Sequence, residues 1–271
     1  MAKPLGGRPQ REAFQPSRAY LAKALKGALT PECPMATIVL ALGGSLLRPE
    51  VEQRHAWLEE LVSIIRDRVL VDDRIGIVVG GGAPAREGIT LARPIIDNED
   101  RLDRIGIAAT RLNATIVRES LADAGVTVSG TIPRSINEAT MLFDERPVVV
   151  MGGTKPGHTT DAVAIRLAIA SGAERCIIGT NVDRVYDSDP RENPNASGYD
   201  LLTHAELQNI VGPAEHTEAG PSGVVDPMGV ADATKANLTL CILDGRNHSR
   251  IKSAIEGEPF HGTIVESEEE E

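Results

Sequence analysis

The stretch from Val148 to Ala164, VVVMGGTKPGHTTDAVA, sets Lys155, His158 and Asp161 behind a pair of glycines. A cation, an imidazole and a carboxylate so close together can neutralise, contact and orient a phosphate. Val148 to Met151 reads as a buried strand, Gly152-Gly153 as a turn, and Thr159-Thr160-Asp161 as the opening of an apolar-periodic segment. A helix starting there offers unpaired backbone N–H groups and the positive end of its dipole, which suit an anion. Two more strand-to-glycine junctions, Gly43-Gly44-Ser45 and Gly80-Gly81-Gly82, can converge on the same place. The chemistry these pieces point to is that of a nucleotide-type kinase.

The individual residues carry different weight. Gly43-Gly44-Ser45 alone is as consistent with a plain turn as with a backbone that approaches a phosphate. The triple glycine is more telling, because Arg86 follows about one helical turn on and can grip an anion with its planar fork. Gly80, Gly82 and Ala85 also fit G-x-G-x-x-A, a dinucleotide fingerprint, whose acidic partner should cap a second strand about 20 residues on. Glu99, Asp100 and Asp103 lie near that distance but in a helical segment, which disfavours a dehydrogenase. Asp103 serves either as a first-turn acid favouring the helix dipole or as an acceptor for a sugar diol. His158 is read as a loop-organising or phosphate-contacting residue. Transfer between phosphates needs positioning and charge neutralisation, and no general base. Asp161 either favours its helix dipole or orients cationic and Mg²⁺-bound groups against the transferring phosphoryl. Tyr186, in a polar loop of a chain with 3% aromatics, either stacks on a base or ribose or packs the loop.

These residues need strands to carry them and helices to cover the strands. Apolar runs at Thr37–Leu42, Arg74–Val79, Val148–Met151, Cys176–Gly179 and Leu238–Leu243 are continuous rather than alternating. Val126–Val128 reads as a short strand and Thr263–Val265 as an edge strand. Between them lie helical patterns: one from Val51 onward with Trp57, Leu61, Ile64 and Ile65 on one face, and one over Ala83–Leu91. Asp100–Ala124 follows, with Leu102, Ile105, Ala109, Leu112 and Ile116 on one face, then Thr160–Ala170 and Ser249–Ile255. Ser135 with Glu138, and Thr203 with Glu206, match the capping box and start two short helices. Buried strands alternating with helices mean an α/β fold with a mostly parallel sheet covered on both faces, and ligands outside the carboxyl ends of its strands. The Asn-, Asp- and Pro-rich segment after Gly179 reads as an active-site loop.

Composition narrows the class. The chain of 271 residues is 41% hydrophobic and has a net charge of −11. Six basic residues, from Lys3 to Lys26, and five prolines mark residues 1–34, against Glu12 and Glu32; five glutamates fill the end from Glu266. The kinase domain is therefore placed at residues 35–265. Residues 1–34 are read as a floppy arm, or as sequence upstream of a start at Met35, with a transit peptide as the weaker alternative. Residues 266–271 are read as a solvated acidic tail. The acidic body argues against nucleic-acid binding, and no apolar run approaches the ~20 residues of a membrane span. Cys33, Cys176 and Cys241 are widely spaced and read as reduced thiols of a cytoplasmic protein.

Taken in order, GGS at Gly43, GGG-x-x-AR from Gly80, D-x-IGI-x-x-TR-x-NA from Asp103, MGGT-x-PGHTTDAVA from Met151, TNVD-x-VY-x-x-DP from Thr180 and VVDP at Val224 resemble the amino-acid-kinase superfamily. The likeness is strongest to the archaeal-type UMP kinases and spans roughly Ala36 to Val265. It implies a three-layer αβα sandwich, a homohexamer, and transfer of the γ-phosphoryl of ATP to UMP with Mg²⁺, in pyrimidine nucleotide synthesis. It assigns UMP to Gly81, Asp103 and the loop of Pro156, Gly157, His158, Thr159, Thr160, Asp161 and Ala162. It assigns ATP to Gly44, Ser45, Gly82, Arg86, Thr180, Asn181, Tyr186 and Asp189; Asp161, from its place at the helix start, and Arg86 are counted as catalytic.

One departure matters. The resemblance implies D-P-L-A-A-K after Val225, with the Lys near the transferred phosphoryl; this chain has Asp226-Pro227-Met228-Gly229-Val230-Ala231. Losing one such contact can cost ~10²–10³ in rate. Lys155 or Lys235 is expected to substitute, and Lys155 is counted with the catalytic residues. No His lies between Gly82 and Arg101, which disfavours an isopentenyl phosphate kinase, and the full PGHTTDA loop disfavours a carboxylate kinase. A catalytically weak nucleotide or oxyanion binder on the same fold remains the rival of another class.

Overall fold

A computed structural model of the chain describes residues 35–47, 54–190, 192–214 and 224–267. The basic extension 1–34, the expected helix start at Val51 and the tail beyond 267 lie outside the described residues.

Seven strands form one sheet in the order β3-β2-β1-β4-β8-β9-β7. Its first half consists of β1 (Thr37–Leu42), β2 (Arg74–Val79), β3 (Val148–Met151) and β4 (Arg175–Thr180), all parallel to one another and to β8 (Thr239–Asp244). β9 (Gly262–Glu266) runs antiparallel to β8, and β7 (Leu201–Thr203) pairs parallel with β9. The strand expected at the sheet edge is therefore internal. Its neighbour β7 is only three residues long and lies in a polar loop, too short for its composition to show. The same loop folds β5 (Val185–Tyr186) onto β6 (Gly198–Tyr199) as a separate antiparallel pair. Of the short strand expected at Val126–Val128, only a single bridge from Val128 to Val148 forms.

Alternate residues of each strand feed opposite layers. Ile38, Leu40, Ile75, Ile77 and Leu243 pack against α1 (Arg54–Val69), α3 (Glu99–Asp123) and α8 (His248–Glu256). Val39, Val78, Val149, Ile178 and Ile242 pack against α4 (Ile136–Phe143), α5 (Thr160–Ala170), α6 (His204–Val211) and α7 (Pro227–Ala236). Burial on both faces is why the strands read as unbroken apolar runs. The result is the three-layer αβα sandwich. α2 (Gly82–Ala92) packs along α3.

Two expected details change. The buried face of α3 is Leu102, Thr110, Asn113, Ala114, Val117 and Leu121, while Leu112 and Ile116 of the expected stripe are 53% and 43% exposed. Two polar residues occupy the inner face, so the apolar periodicity follows a neighbouring stripe. At α4, Ser135 caps Glu138 N, but the Glu138 carboxylate accepts from Arg134 N instead of closing the box. The Thr203–Glu206 box at α6 is complete.

Candidate active site

The glycine junctions meet at the carboxyl ends of the central strands, backbone against backbone. A Cβ on Gly44 would fall 2.2 Å from Gly82 N and 2.5 Å from Gly80 O, and one on Gly82 would fall 2.4 Å from Gly44 O. Gly82 also has φ +59°, the left-handed region that favours glycine. Gly43 N donates to Gly179 O at 3.0 Å and Gly80 N to Leu42 O at 2.8 Å, so the loops after β1, β2 and β4 are stitched together.

The two polar residues on the inner face of α3 explain themselves here. Asn113, 2% exposed, donates from Nδ2 to Gly80 O at 2.7 Å and Gly81 O at 3.0 Å. In a trans peptide the C=O and the next N–H point opposite ways. Holding these two carbonyls on the α3 side thus turns the amide hydrogens of Gly81 and Gly82 away from α3. Thr110 Oγ1 donates to Ile107 O and accepts from Gly153 N, both at 2.7 Å, fixing the turn after β3. Asn113→Leu, which keeps the bulk but cannot donate, is expected to lower stability by about 1–3 kcal/mol in urea unfolding. It is also expected to weaken nucleotide binding more than a core truncation of equal ΔΔG does.

The second half of the site is where the N-termini of α5 and α7 meet. Thr159 caps α5, its Oγ1 accepting from Ala162 N, and donates to Asp226 Oδ2 at 2.7 Å. Asp226 caps α7, its Oδ1 accepting from Met228 N and Gly229 N at 2.8 and 3.0 Å. Gly229 lets the helices touch, since a Cβ there would lie 2.8 Å from Ile165 Cδ1. Gly157, at φ +79°, donates its N–H to Asp103 Oδ2 at 2.8 Å, so the head of α3 holds the loop. Arg166 Nη1 lies 3.0 Å from His158 Nδ1, and Arg166 Nε donates to Asp232 Oδ2 at 2.7 Å. Burial pushes the Asp161 carboxyl up to about 7, and the neighbouring Asp226 carboxylate adds to the shift. A cavity of about 210 Å³ opens between these parts, lined by residues 155–158, Ala162, Arg166, Asp226 and Met228.

The structure thus places Lys155, Pro156, Gly157, His158 and Ala162 on one cavity, with Asp103 tied to it through Gly157, while Gly44 and Gly82 touch each other at the glycine junction. Arg86 is exposed on α2, Ser45 is exposed after β1, and Thr180 ends β4 beside Asp244. Tyr186 and Asp189 lie farther along the same end of the molecule: the β5–β6 pair that carries Tyr186 is pinned to β9. Val185 N donates to Thr263 Oγ1 at 2.9 Å, and Thr263 Oγ1 donates to Tyr199 O. The Tyr186 hydroxyl donates to Asp183 Oδ1 at 2.8 Å. Lys235 lines a different recess, with Ile169, Asp232 and Ala236, and is not part of the phosphate cavity.

In the sequence Thr110, Asn113 and Asp226 are motif letters without an assigned role, and Arg166, Asp232 and Thr263 carry no site signal. The signal for the first two was polar residues at the inner positions of an otherwise apolar helix. Nothing local marks Arg166, Asp232 or Thr263: Arg166 and Asp232 pair across 66 positions, and Thr263 accepts from Val185 N across 78. Among the described residues, no group of three or more His, Cys, Asp or Glu is arranged to hold a metal, and no helix is long and apolar enough to cross a membrane.

The sequence profile of the amino acid kinase family matches residues 36–244. The uridylate kinase of Methanospirillum hungatei is 38% identical over 231 residues, which cover 85% of this chain and 95% of that protein. The uridylate kinase of Methanococcoides burtonii is 40% identical over 210 residues, covering 77% and 86%. Among solved structures, the uridylate kinase of Archaeoglobus fulgidus superposes with a TM-score of 0.71 at 36% identity, covering 84% of this chain and 99% of that one. A UMP kinase from Bacillus anthracis, 22% identical with a TM-score of 0.70 over 87% of this chain and 97% of its own, shares the fold.

Proposed function

This chain belongs to the amino acid kinase family, and we propose that it transfers the γ-phosphoryl of ATP to UMP, giving ADP and UDP. The observation that carries the proposal is the cavity between the α5 and α7 N-termini, next to two interlocked glycine loops, in a chain so similar to uridylate kinases. A phosphate oxygen of UMP attacks the γ-phosphorus in line, the bond to the β-phosphate oxygen breaks, and ADP leaves. The attacking oxygen is already anionic, so the chain's task is to hold two nucleotides in line and offset their charge.

In this reading the amides of Gly81 and Gly82 and the α5 N-terminus hold phosphates, and Asp103 faces the UMP sugar while bracing Gly157. Arg86 reaches the phosphates from α2. Thr180, Asn181, Tyr186 and Asp189 serve the ATP nucleoside, and Gly44 and Ser45 its phosphates. Mg²⁺ fits as an ion carried in on ATP, since it is usually bound by substrate phosphates with one or two carboxylates. Asp161, which opens α5, or Asp226, which lines the cavity, would supply that carboxylate. When bound, Mg²⁺ offsets charge on the β- and γ-oxygens. The proposal extends to a cytoplasmic homohexamer. Leu91 and Ile95, 81% and 86% exposed, and Leu112 support self-association through the α2–α3 face.

Lys155, exposed at the cavity mouth, is expected to draw the γ-phosphoryl forward. Lys155→Ala should lower kcat at least ~10-fold, more than it raises either KM; steady-state kinetics with an unchanged kcat would remove Lys155 from the catalytic group. Ala231 favours one other reading, a nucleotide sensor that binds UMP without turnover. UDP formation by the purified chain with ATP and Mg²⁺ separates the two.

A further inference from the structure

We propose that Arg166 is a phosphate-contacting residue of this cavity, aimed by Asp232, and supplies from α5 a cation that α7 lacks at Ala231. This deepens the kinase reading and rests on it. Arg166 borders two openings at once: the phosphate cavity, and the outer recess of about 360 Å³ that Asp232 and Lys235 line. Arg166 therefore stands between them. The Nε edge is held by Asp232 Oδ2 at 2.7 Å, and Asp232 lines the outer recess. Nη1 lies 3.0 Å from Nδ1 of His158, which lines the inner cavity. A guanidinium has five N–H donors in a rigid fork. Fixing it at Nε and at one Nη1–H leaves the fork oriented, with Nη1 on the His158 side, which is the side of the inner cavity.

The same contact defines His158. Arginine cannot accept a hydrogen bond, so His158 Nδ1 must be the acceptor, and the ring is neutral with its proton on Nε2. The pair Arg166–Asp232 is partly exposed, at 24% and 27%, so Asp232 orients the fork while water screens its charge. Lys235 faces only the outer recess and does not compete for the role.

The test compares the affinity of the full chain for UMP and for uridine, by titration calorimetry, in wild type and Arg166→Ala. The ratio isolates what the phosphate contributes. Arg166→Ala is expected to reduce that ratio about tenfold or more and to lower kcat, with the uridine affinity itself within about twofold of wild type. Should loss of the guanidinium leave Asp232 unpaired and the chain unfolded, R166A/D232A removes both charges and is expected to show the same reduced ratio. Arg166→Lys, which keeps the charge but not the fork, should fall between. A ratio within twofold of wild type in a folded Arg166 variant overturns the proposal, as does wild type binding UMP no better than uridine. Phosphate-dependent UMP binding by a wild type that forms no UDP overturns the kinase reading alone, and the ratio still decides the role of Arg166.

Discussion

Asp161→Asn is expected to lose ~10²–10³ in kcat and yet to melt above wild type at pH 8. Asp161 lies in the first turn of α5, beside Asp226 and partly buried, and its carboxyl is pushed up to about 7. Its ordinary value is 3.8, so between about pH 4 and 7 the native chain binds a proton that the unfolded chain has lost. Stability therefore falls as pH rises through that window. Below about pH 4 the neutral acid and the amide are equivalent, and the melting temperatures of variant and wild type should coincide. The gap should open through pH 4–7 and stand at several degrees by pH 8, at the ~2–4 °C per kcal/mol typical of a chain this size. The same ionisation gives the free enzyme an acid limb near pH 7 in kcat/KM, since a neutral acid cannot orient cationic groups. Melting curves that coincide at pH 8 contradict the burial of a charge at this point.

Gly44→Ala is expected to abolish activity and destabilise the fold, whereas Gly43→Ala, one residue away, is expected to be mild. A methyl at position 44 would enter the backbone of Gly80, Gly81 and Gly82 at 2.2–2.6 Å, where nothing flexible can yield. At Gly43 the nearest atom is Gly179 O at 3.3 Å. Backbone shifts of this kind typically cost ~1–3 kcal/mol or more, and a displacement near 1 Å of groups that position substrate can cost ~10² in rate. Denaturant melts and turnover of the two variants side by side check this; equal behaviour would mean the two loops do not interlock.

The sandwich was legible because nearly every strand of its parallel core is buried on both faces and so reads as an unbroken apolar run. The glycine junctions were legible because close backbone approach admits no other residue. α3 shows where pattern reading stops. Thr110 and Asn113 spend inner-face positions on holding glycine carbonyls and amides, so Ile105, Leu112 and Ile116 mimic a core face that is partly exposed. β7 escaped because three residues in a polar loop become a strand only once β9 is beside them. The Arg166–Asp232 pair, 66 positions apart, became visible only when α5 and α7 packed together. Sequence pointed to Lys155 and Lys235 as substitutes for the missing lysine; Lys235 turned out to line the other recess.

The measurement that bears most directly on the kinase reading is ATP consumption and product identity for a panel of UMP, CMP, AMP, GMP and isopentenyl phosphate with Mg²⁺. UDP and ADP in equal amounts from UMP, at a kcat/KM well above that for any other acceptor, is the expected result. Binding of UMP with no UDP formed, or faster phosphorylation of another acceptor, would contradict it.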